Sequence, residues 1–240
     1  HLDFFKDLDD IKQSFRRFAQ LTPQDGHIVA NADDAGAMDA LKGLPLFTFG
    51  CCEGADCQAR NLTWQHGRPD FDVVAGGEVY THLSLRVAGL HNVYNALAAA
   101  SAAYVLGIPG KAVRQGLEGF FGAGRRFELK GQYNGARIYD DYAHHPAELH
   151  ALLDMAKSLG YDRVICAFQP HTYTRTKALF DDFVQELQIA DVVVLTDIYA
   201  AREQNTIGIS SRDLADRIPN AYYCPSLRDA AEKLREIART

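Results

Sequence analysis

Three segments of this 240-residue chain concentrate the side chains that move protons, bind anions or stack on rings. Asp140-Asp141-Tyr142-Ala143-His144-His145-Pro146 follows the run ARIY. Gln169-Pro170-His171-Thr172-Tyr173-Thr174-Arg175-Thr176 follows RVICAF, and Asp197-Ile198-Tyr199-Ala200-Ala201-Arg202-Glu203 follows DVVVLT. Imidazole exchanges protons near neutral pH, guanidinium grips carboxylate or phosphate through its planar fork, and carboxylates accept from hydroxyls. In an open α/β sheet, ligands bind outside the carboxyl ends of the strands, which is where these segments fall. Single members also have blander readings: Asp140 or Asp141 as a helix cap, Arg202 and Glu203 as a surface pair, Tyr142 and Tyr173 as packing residues. Three such loops at one sheet edge are harder to explain by packing alone.

Other chemistries are disfavoured by spacing. His144 and His145 are adjacent on a turn and point apart, and no HExxH pair occurs, which argues against zinc. No G-x-S-x-G elbow is present for a Ser-His-Asp triad. Gly107-Ile108-Pro109-Gly110-Lys111-Ala112 has neither the spacing nor the hydroxyl of a P-loop, and no G-x-G-x-x-G opens a helix. The chain therefore shows no backbone nest for a triphosphate. Gly124-Arg125-Arg126 offers a guanidinium that reaches a phosphate from the side, or else a solvated hinge.

The elements that must position these residues follow from periodicity. Leu8, Ile11, Phe15 and Phe18 form a helical stripe over 7–20, with acids early and arginines late. HIVAN (27–31) and LFTFG (46–50) read as short strands, with Asp33 as a helix cap between them. From Gln58 to Val87 polar and apolar residues alternate between turn signals, which predicts two or three antiparallel strands. Gly89 leads into an Ala-rich helix ended by Gly107 and Pro109, and a short helix occupies 110–119. FFGAG (120–124) reads as a linker. Beyond it, RFELKGQY and ARIYDDY flank Asn134-Gly135, a strong hairpin signal. Pro146 opens a helix that Gly160 closes. The apolar strands RVICAF and DVVVLT, the short strand AYYC and the intervening amphipathic helices then predict a parallel, doubly wound α/β sheet.

Composition agrees with an ordinary globular chain: 47% hydrophobic and 23% charged. No apolar run is long enough to span a bilayer and no secretory leader pattern opens the chain. A net charge of −6 argues against a dedicated nucleic-acid binder. Five cysteines at 51, 52, 57, 166 and 224 do not form a disulfide or zinc-finger pattern, so reduced thiols are expected. The chain opens on His1 rather than Met, which suggests processing or a fragment.

Gly89-Leu90-His91-Asn92-Val93-Tyr94-Asn95-Ala96 resembles the G-x-HN-x-x-NA motif of the Mur ligases, the ATP-dependent amide ligases of peptidoglycan precursor synthesis. Gly124-Arg125-Arg126-Phe127-Glu128, DDYAHHP, FQPHTYTRT and DIYAARE follow in the order of the member that joins L-alanine to UDP-N-acetylmuramate. The resemblance runs over essentially the whole chain. It implies a central ATPase domain lacking its P-loop over residues 1–122, carrying a small antiparallel sheet, and a Rossmann-like C-terminal domain over 123–240. ATP and Mg²⁺ are the implied cofactors, UDP-N-acetylmuramate and L-alanine the implied partners, and the cytoplasm the implied location. By the same resemblance His1 would ligate Mg²⁺. His91, Asn92 and Asn95 would meet adenine, Asp141 the ribose and Arg126 the terminal phosphate. His144, His171 and Arg175 would line the amino-acid and acyl-phosphate side, with Arg175 on the alanine carboxylate. Position 172 is Thr where some alanine-adding members have Arg, so the clamp would rest more on Arg175. The ligase that attaches a recycled tripeptide shares the RR-x-E and DD-x-AHHP motifs but is not expected to carry the FQPH segment. A non-catalytic adenine-nucleotide module is the other alternative.

Overall fold

The computed structural model describes residues 5–238, which fall into two compact units, His1–Phe121 and Gly122–Thr240. The first unit runs α1 (Leu8–Ala19), β1 (Val29–Asn31), α2 (Ala35–Ala40), β2 (Phe47–Gly50), β3 (Cys57–Gln65), β4 (Arg68–Ala75), β5 (Glu78–Ser84), α3 (Leu90–Val105) and α4 (Gly110–Glu118). Its strands form one mixed sheet in the order β1-β2-β3-β4-β5. The expected antiparallel strands are β3, β4 and β5, and the short strands β1 and β2 extend the same sheet by parallel pairing. Along β4, Phe71, Val73 and Ala75 are buried while Asp70, Asp72 and Val74 are only partly covered. That period of two gives the sheet its core face. Val93, Ala96, Leu97 and Ala100 of α3 cover that face, and the small alanines let the helix approach closely. Leu97 and Phe71 are fully buried, so truncating either to Ala costs about 3–5 kcal/mol.

Helix α1 forms as its stripe predicts, capped by Asp7, which accepts from the Asp10 N–H at 2.9 Å. The apolar stripe itself is largely exposed. Phe15 and Phe18 are 60% and 73% exposed. The polar side of the helix faces α2 instead: Lys12 pairs with Asp39 at 2.8 Å, and Arg16 donates to the Ala40 and Lys42 carbonyls at 3.0 and 2.8 Å. The cap of α2 is Asp34, not Asp33; Asp34 accepts from the Ala37 N–H at 2.9 Å.

The second unit runs β6 (Glu128–Tyr133), β7 (Ala136–Asp140), α5 (Pro146–Ser158), β8 (Ile165–Phe168), α6 (Tyr173–Ala178), α7 (Phe180–Leu187), β9 (Val192–Leu195), α8 (Ser211–Ala215), β10 (Ala221–Tyr223) and α9 (Leu227–Ile237). Asn134 (φ 47°) and Gly135 (φ 80°) form the tight turn joining β6 to β7, both in the left-handed region that a two-residue hairpin requires. Strands β10, β9 and β8 form a parallel sheet in that order, while the β6–β7 hairpin is a two-stranded sheet of its own. The loop after β7 therefore belongs to a different sheet from the loops after β8 and β9. Helices α5, α7 and α8 pack Leu149, Leu153, Phe183, Leu187 and Leu214 against Phe168, Val193 and Leu195. Val194 faces the other side, against Ala230 of α9. With helices on both faces, β9 is apolar throughout, as its sequence predicts. Among the described residues no helix is long and apolar enough to cross a membrane, and all five cysteines are free thiols. Burial pushes the Cys166 thiol up to about 12.

On the outer face of the first unit's sheet, His82 sits between two carboxylates. Its Nδ1 lies 2.8 Å from Asp72, its cross-strand partner, and its Nε2 lies 3.3 Å from Asp70. Asn61 donates to Asp72 at 2.8 Å, and the Ser84 hydroxyl donates to Asp70 at 2.5 Å. The hydrogen bond to Asp72 holds the His82 pKa above its ordinary value. A raised folded pKa contributes stability that is complete below about pH 6.5 and fades as pH rises through the folded value. Asp72 is shifted down, by Asn61 first and His82 second, so its contribution is lost only in acid, below about pH 4. The stability difference between wild type and His82→Ala should be largest near pH 5–6 and smaller at about pH 9. Solvent exposure limits it to about 1 kcal/mol or less. Urea unfolding across that range measures it, and a difference that grew with pH would contradict the assignment.

Candidate functional site

In the first unit the candidate nucleotide-binding residues sit at the start of α3. Gly89, the residue before the helix, has φ 94° and supplies no side-chain cap. Asn92 Nδ2 donates to the Ala88 carbonyl at 2.7 Å and lies 3.1 Å from His91 Nε2. Asn95, exposed one turn on, donates from Nδ2 to Asn92 Oδ1 at 3.2 Å. The amide of Asn92 is thus held by the protein, and the exposed Asn95 spends its Nδ2 on Asn92, which leaves its carbonyl oxygen as an acceptor with no bond among the described residues. An amide that presents a fixed carbonyl is chemically suited to an exocyclic base amine, so the residues present fit an adenine.

Asp33 fixes this helix end. Its carboxylate accepts from the Cys51 and Cys52 N–H groups at 2.6 and 3.2 Å and from the Tyr94 hydroxyl at 2.9 Å. Burial would raise its pKa, but these bonds and that of the Cys52 thiol hold it lowered. Burial and the same carboxylate push the Tyr94 phenol upward. A Cβ at Gly50 would stand 3.0 Å from the Asp33 carboxylate, so a larger residue there would press on that carboxylate. His1, the implied Mg²⁺ ligand, lies outside the described residues. Among those described, no group of three His, Cys, Asp or Glu residues is placed to hold a metal ion.

In the second unit the loop after β7 is zipped to residues 125–127. Asp141 accepts from the Phe127 N–H through one oxygen and from the Ala143 N–H through the other, both at 2.8 Å, and Tyr142 N–H donates to the Arg125 carbonyl at 2.9 Å. Arg125 (φ 57°) and Phe127 (φ 47°) are both left-handed, a conformation these bonds hold in place. The Arg125 guanidinium lies over the Tyr142 ring, 4.5 Å from its centroid. Arg126 is exposed, and its side chain makes no hydrogen bond or ion pair among the described residues.

His145 and Glu148 form a capping box at the start of α5, with Pro146 at its first turn. Glu148 accepts from the N–H groups of His144 and His145 at 2.9 and 3.2 Å. Desolvation lowers the His145 pKa. His144 Nδ1 lies 2.9 Å from the Tyr142 carbonyl, which only accepts, so Nδ1 carries the proton and Nε2 is left as the basic nitrogen.

These groups meet the other two loops. Ring centroids run from Tyr142 to His144 at 5.4 Å, His144 to His171 at 6.2 Å and His171 to Tyr199 at 5.5 Å. Arg175, on α6, keeps a buried Nη1 with no hydrogen-bond partner among the described residues. An unpaired buried guanidinium N–H is costly and is satisfied by an incoming anion. His144, His171 and Arg175 therefore belong to one set of loops, together with Arg125, Tyr199 and Glu203. The sequence named these last three within Gly124-Arg125-Arg126 and the third polar loop but gave Tyr199 and Glu203 no individual role.

The sequence profile of the Mur ligase middle domain matches residues 1–103, and that of the Mur ligase glutamate ligase domain matches 125–240. The chain is 48% identical, over 98% of its length, to a UDP-N-acetylmuramate–L-alanine ligase of Caldanaerobacter subterraneus, and 46% identical over 95% to one of Clostridium novyi. It spans about half the length of these relatives, 53% and 50%. The crystal structure of UDP-N-acetylmuramate-alanine ligase from Thermotoga maritima superposes with a TM-score of 0.75 at 27% identity, covering all of this chain and 51% of that one. A murein peptide ligase from Psychrobacter arcticus gives 0.66 at 26% identity over 98% of this chain and 50% of its own. A two-unit α/β chain with a polar loop cluster at the strand ends, matched by both domain profiles, is a Mur ligase chain. It belongs to the Mur ligase family through its middle and C-terminal domains.

Asp141→Ala would leave two partly buried N–H groups without an acceptor. It should lower the stability of the second unit by about 1–2 kcal/mol, while Asp141→Asn, which keeps one acceptor, costs less. Thermal unfolding of the 240-residue chain measures both; equal effects would show that the two N–H bonds are not what the carboxylate contributes.

Proposed function

We propose that this chain is the middle and C-terminal part of an ATP-dependent amide ligase that joins L-alanine to UDP-N-acetylmuramate in the cytoplasm. The observation that carries the reading is Arg175: a partly buried guanidinium with an unsatisfied nitrogen, on the helix that follows the loop of His171, whose ring stands 6.2 Å from that of His144. This is a chemically apt place for the carboxylate of an amino acid. The identity of the relatives supports L-alanine as that amino acid.

A carboxylate is a poor electrophile, and ATP would supply the phosphoryl group that turns one of its oxygens into a phosphate leaving group for the amine to displace. What the protein contributes is positioning and charge. In this reading His91, Asn92 and Asn95 hold adenine and Asp141 receives the ribose hydroxyls on its remaining lone pairs. Arg126, with no partner of its own, steadies the terminal phosphate, and Mg²⁺ is held with the help of His1. Arg175 takes the alanine carboxylate in a charge-assisted pair. The basic Nε2 of His144 is oriented by Tyr142 and is suited to receive a proton from the alanine ammonium.

The test is phosphate release by the full-length protein with ATP, UDP-N-acetylmuramate and L-alanine. Dependence on a tripeptide in place of L-alanine would support the peptide-ligase alternative. The 240-residue chain alone should show no such release, since its sequence holds no P-loop to bind the triphosphate. In the full-length enzyme, Arg175→Lys should raise the KM for L-alanine with little change for ATP, and Arg175→Ala should raise it further. Arg126→Ala should instead lower kcat, on the order of 10²-fold. Unchanged L-alanine kinetics in Arg175→Ala would move the carboxylate site elsewhere.

A further inference from the structure

Glu203 is half-buried at the end of the loop that follows β9, beside an exposed Arg202. Its carboxylate takes both donors of Thr174: the backbone N–H at 3.0 Å and the side-chain hydroxyl. Thr174 lies in the first turn of α6, one residue before Arg175. The same two loops are joined by three more bonds. Tyr199 N–H donates to the Pro170 carbonyl at 2.8 Å, Thr172 N–H to the Tyr199 carbonyl at 2.9 Å, and Gln169 Nε2 to the Asp197 carbonyl at 3.1 Å.

Between these anchors the backbone is strained. Thr172 has φ 66° and ψ 143°, a conformation that a β-branched residue avoids. Its carbonyl is nevertheless used, accepting from Thr176 N–H at 3.2 Å and Thr176 Oγ1 at 2.7 Å. Such a conformation persists only where surrounding bonds over-determine it. Two of those bonds come from Glu203. Burial would raise the Glu203 pKa, but the Thr174 hydroxyl and amide and the nearby His171 hold it lowered, so it is ionised at neutral pH.

We propose that Glu203 is a positioning residue for the amino-acid side of the site: by binding Thr174 it holds the first turn of α6 where Arg175 is presented to substrate. The arrangement also explains how an anion bound one residue away leaves Arg175 unneutralised. The Glu203 oxygens accept from the first turn of α6, and no ion pair joins Glu203 to Arg175 among the described residues. The guanidinium is left for the substrate carboxylate. This rests on the ligase reading for the substrate, but the positioning itself is a property of the loop.

Two measurements separate the claims. In the full-length enzyme, Glu203→Ala should raise the KM for L-alanine by about tenfold or more, because small displacements of a binding group are costly, and leave the KM for ATP within about twofold. Glu203→Gln keeps an amide oxygen for Thr174 and should recover most of that loss. Thr174→Val, which removes only the hydroxyl bond, should fall between. In the chain as it stands, amide hydrogen exchange over residues 171–176 should speed up in Glu203→Ala and much less in Glu203→Gln. An unchanged L-alanine KM together with unchanged exchange in Glu203→Ala would overturn the proposal. Equal damage to the L-alanine and ATP constants, with no recovery in Glu203→Gln, would also overturn it. If wild type shows no L-alanine dependence, the ligase reading fails, and the exchange measurement alone then decides the role of Glu203.

Discussion

Between β8 and β9 the parallel pairing does not stop where the strands stop. It continues through a bridge between His171 and Tyr199, with Tyr199 N–H on the Pro170 carbonyl and Thr172 N–H on the Tyr199 carbonyl. Proline at 170 is compatible with this because it contributes only its carbonyl. The continuation aligns two loops as strictly as a sheet aligns strands. It is anchored below by Phe168, Val193 and Leu195, all buried, so the loops inherit the rigidity of the core. Backbone register brings the Tyr199 ring to His171, whose ring in turn stands 6.2 Å from that of His144.

The other unit solves a similar problem differently. There the polar residues stand at the start of one helix, and a helix end is free to shift unless something ties it down. Asp33 does so, collecting two backbone donors from the end of β2 and a phenol from α3. A carboxylate serves because it accepts several bonds at once, and ionised acceptors make stronger bonds. Asp33, Asp141 and Glu203 share this use: each spends its oxygens on neighbouring donors and thereby fixes a loop or helix that carries other functional groups.

Much of this was readable from pattern. Asn134-Gly135 announced the β6–β7 turn because both residues tolerate positive φ, and the unalternating DVVVLT announced a strand covered on both faces. The three polar loops were recognisable by following those strands to their ends. What was not readable depended on partners distant in sequence. Asp33 and Asp34 are equivalent as caps until the position of Cys51 decides between them. The stripe of α1 identified a helix but not the side that would dock, because Lys12 and Arg16 found acceptors on α2. The separation of the β6–β7 hairpin from the parallel sheet left no trace in the residues of ARIY. For Glu203 the sequence left open a polar-loop role or a surface pair with Arg202, because its partner Thr174 lies 29 positions earlier.

In the ligase reading proposed above, Thr172 leaves Arg175 as the single guanidinium of the carboxylate clamp. An arginine there would offer a second guanidinium; Thr172 offers a hydroxyl that forms no hydrogen bond among the described residues, and its backbone is what the structure uses. With one guanidinium, binding depends more steeply on where that group stands, because no second fork compensates for a displacement. A single clamp therefore favours a stiffer loop. The loop around Thr172 meets that demand, with bonds from Tyr199 on one side and Glu203 on the other enclosing a conformation that threonine would otherwise leave. Strain at 172, the carboxylate at 203 and the unsatisfied nitrogen of Arg175 are then three aspects of one arrangement, which under the proposed reading spends folding energy to hold a cation ready for a substrate anion.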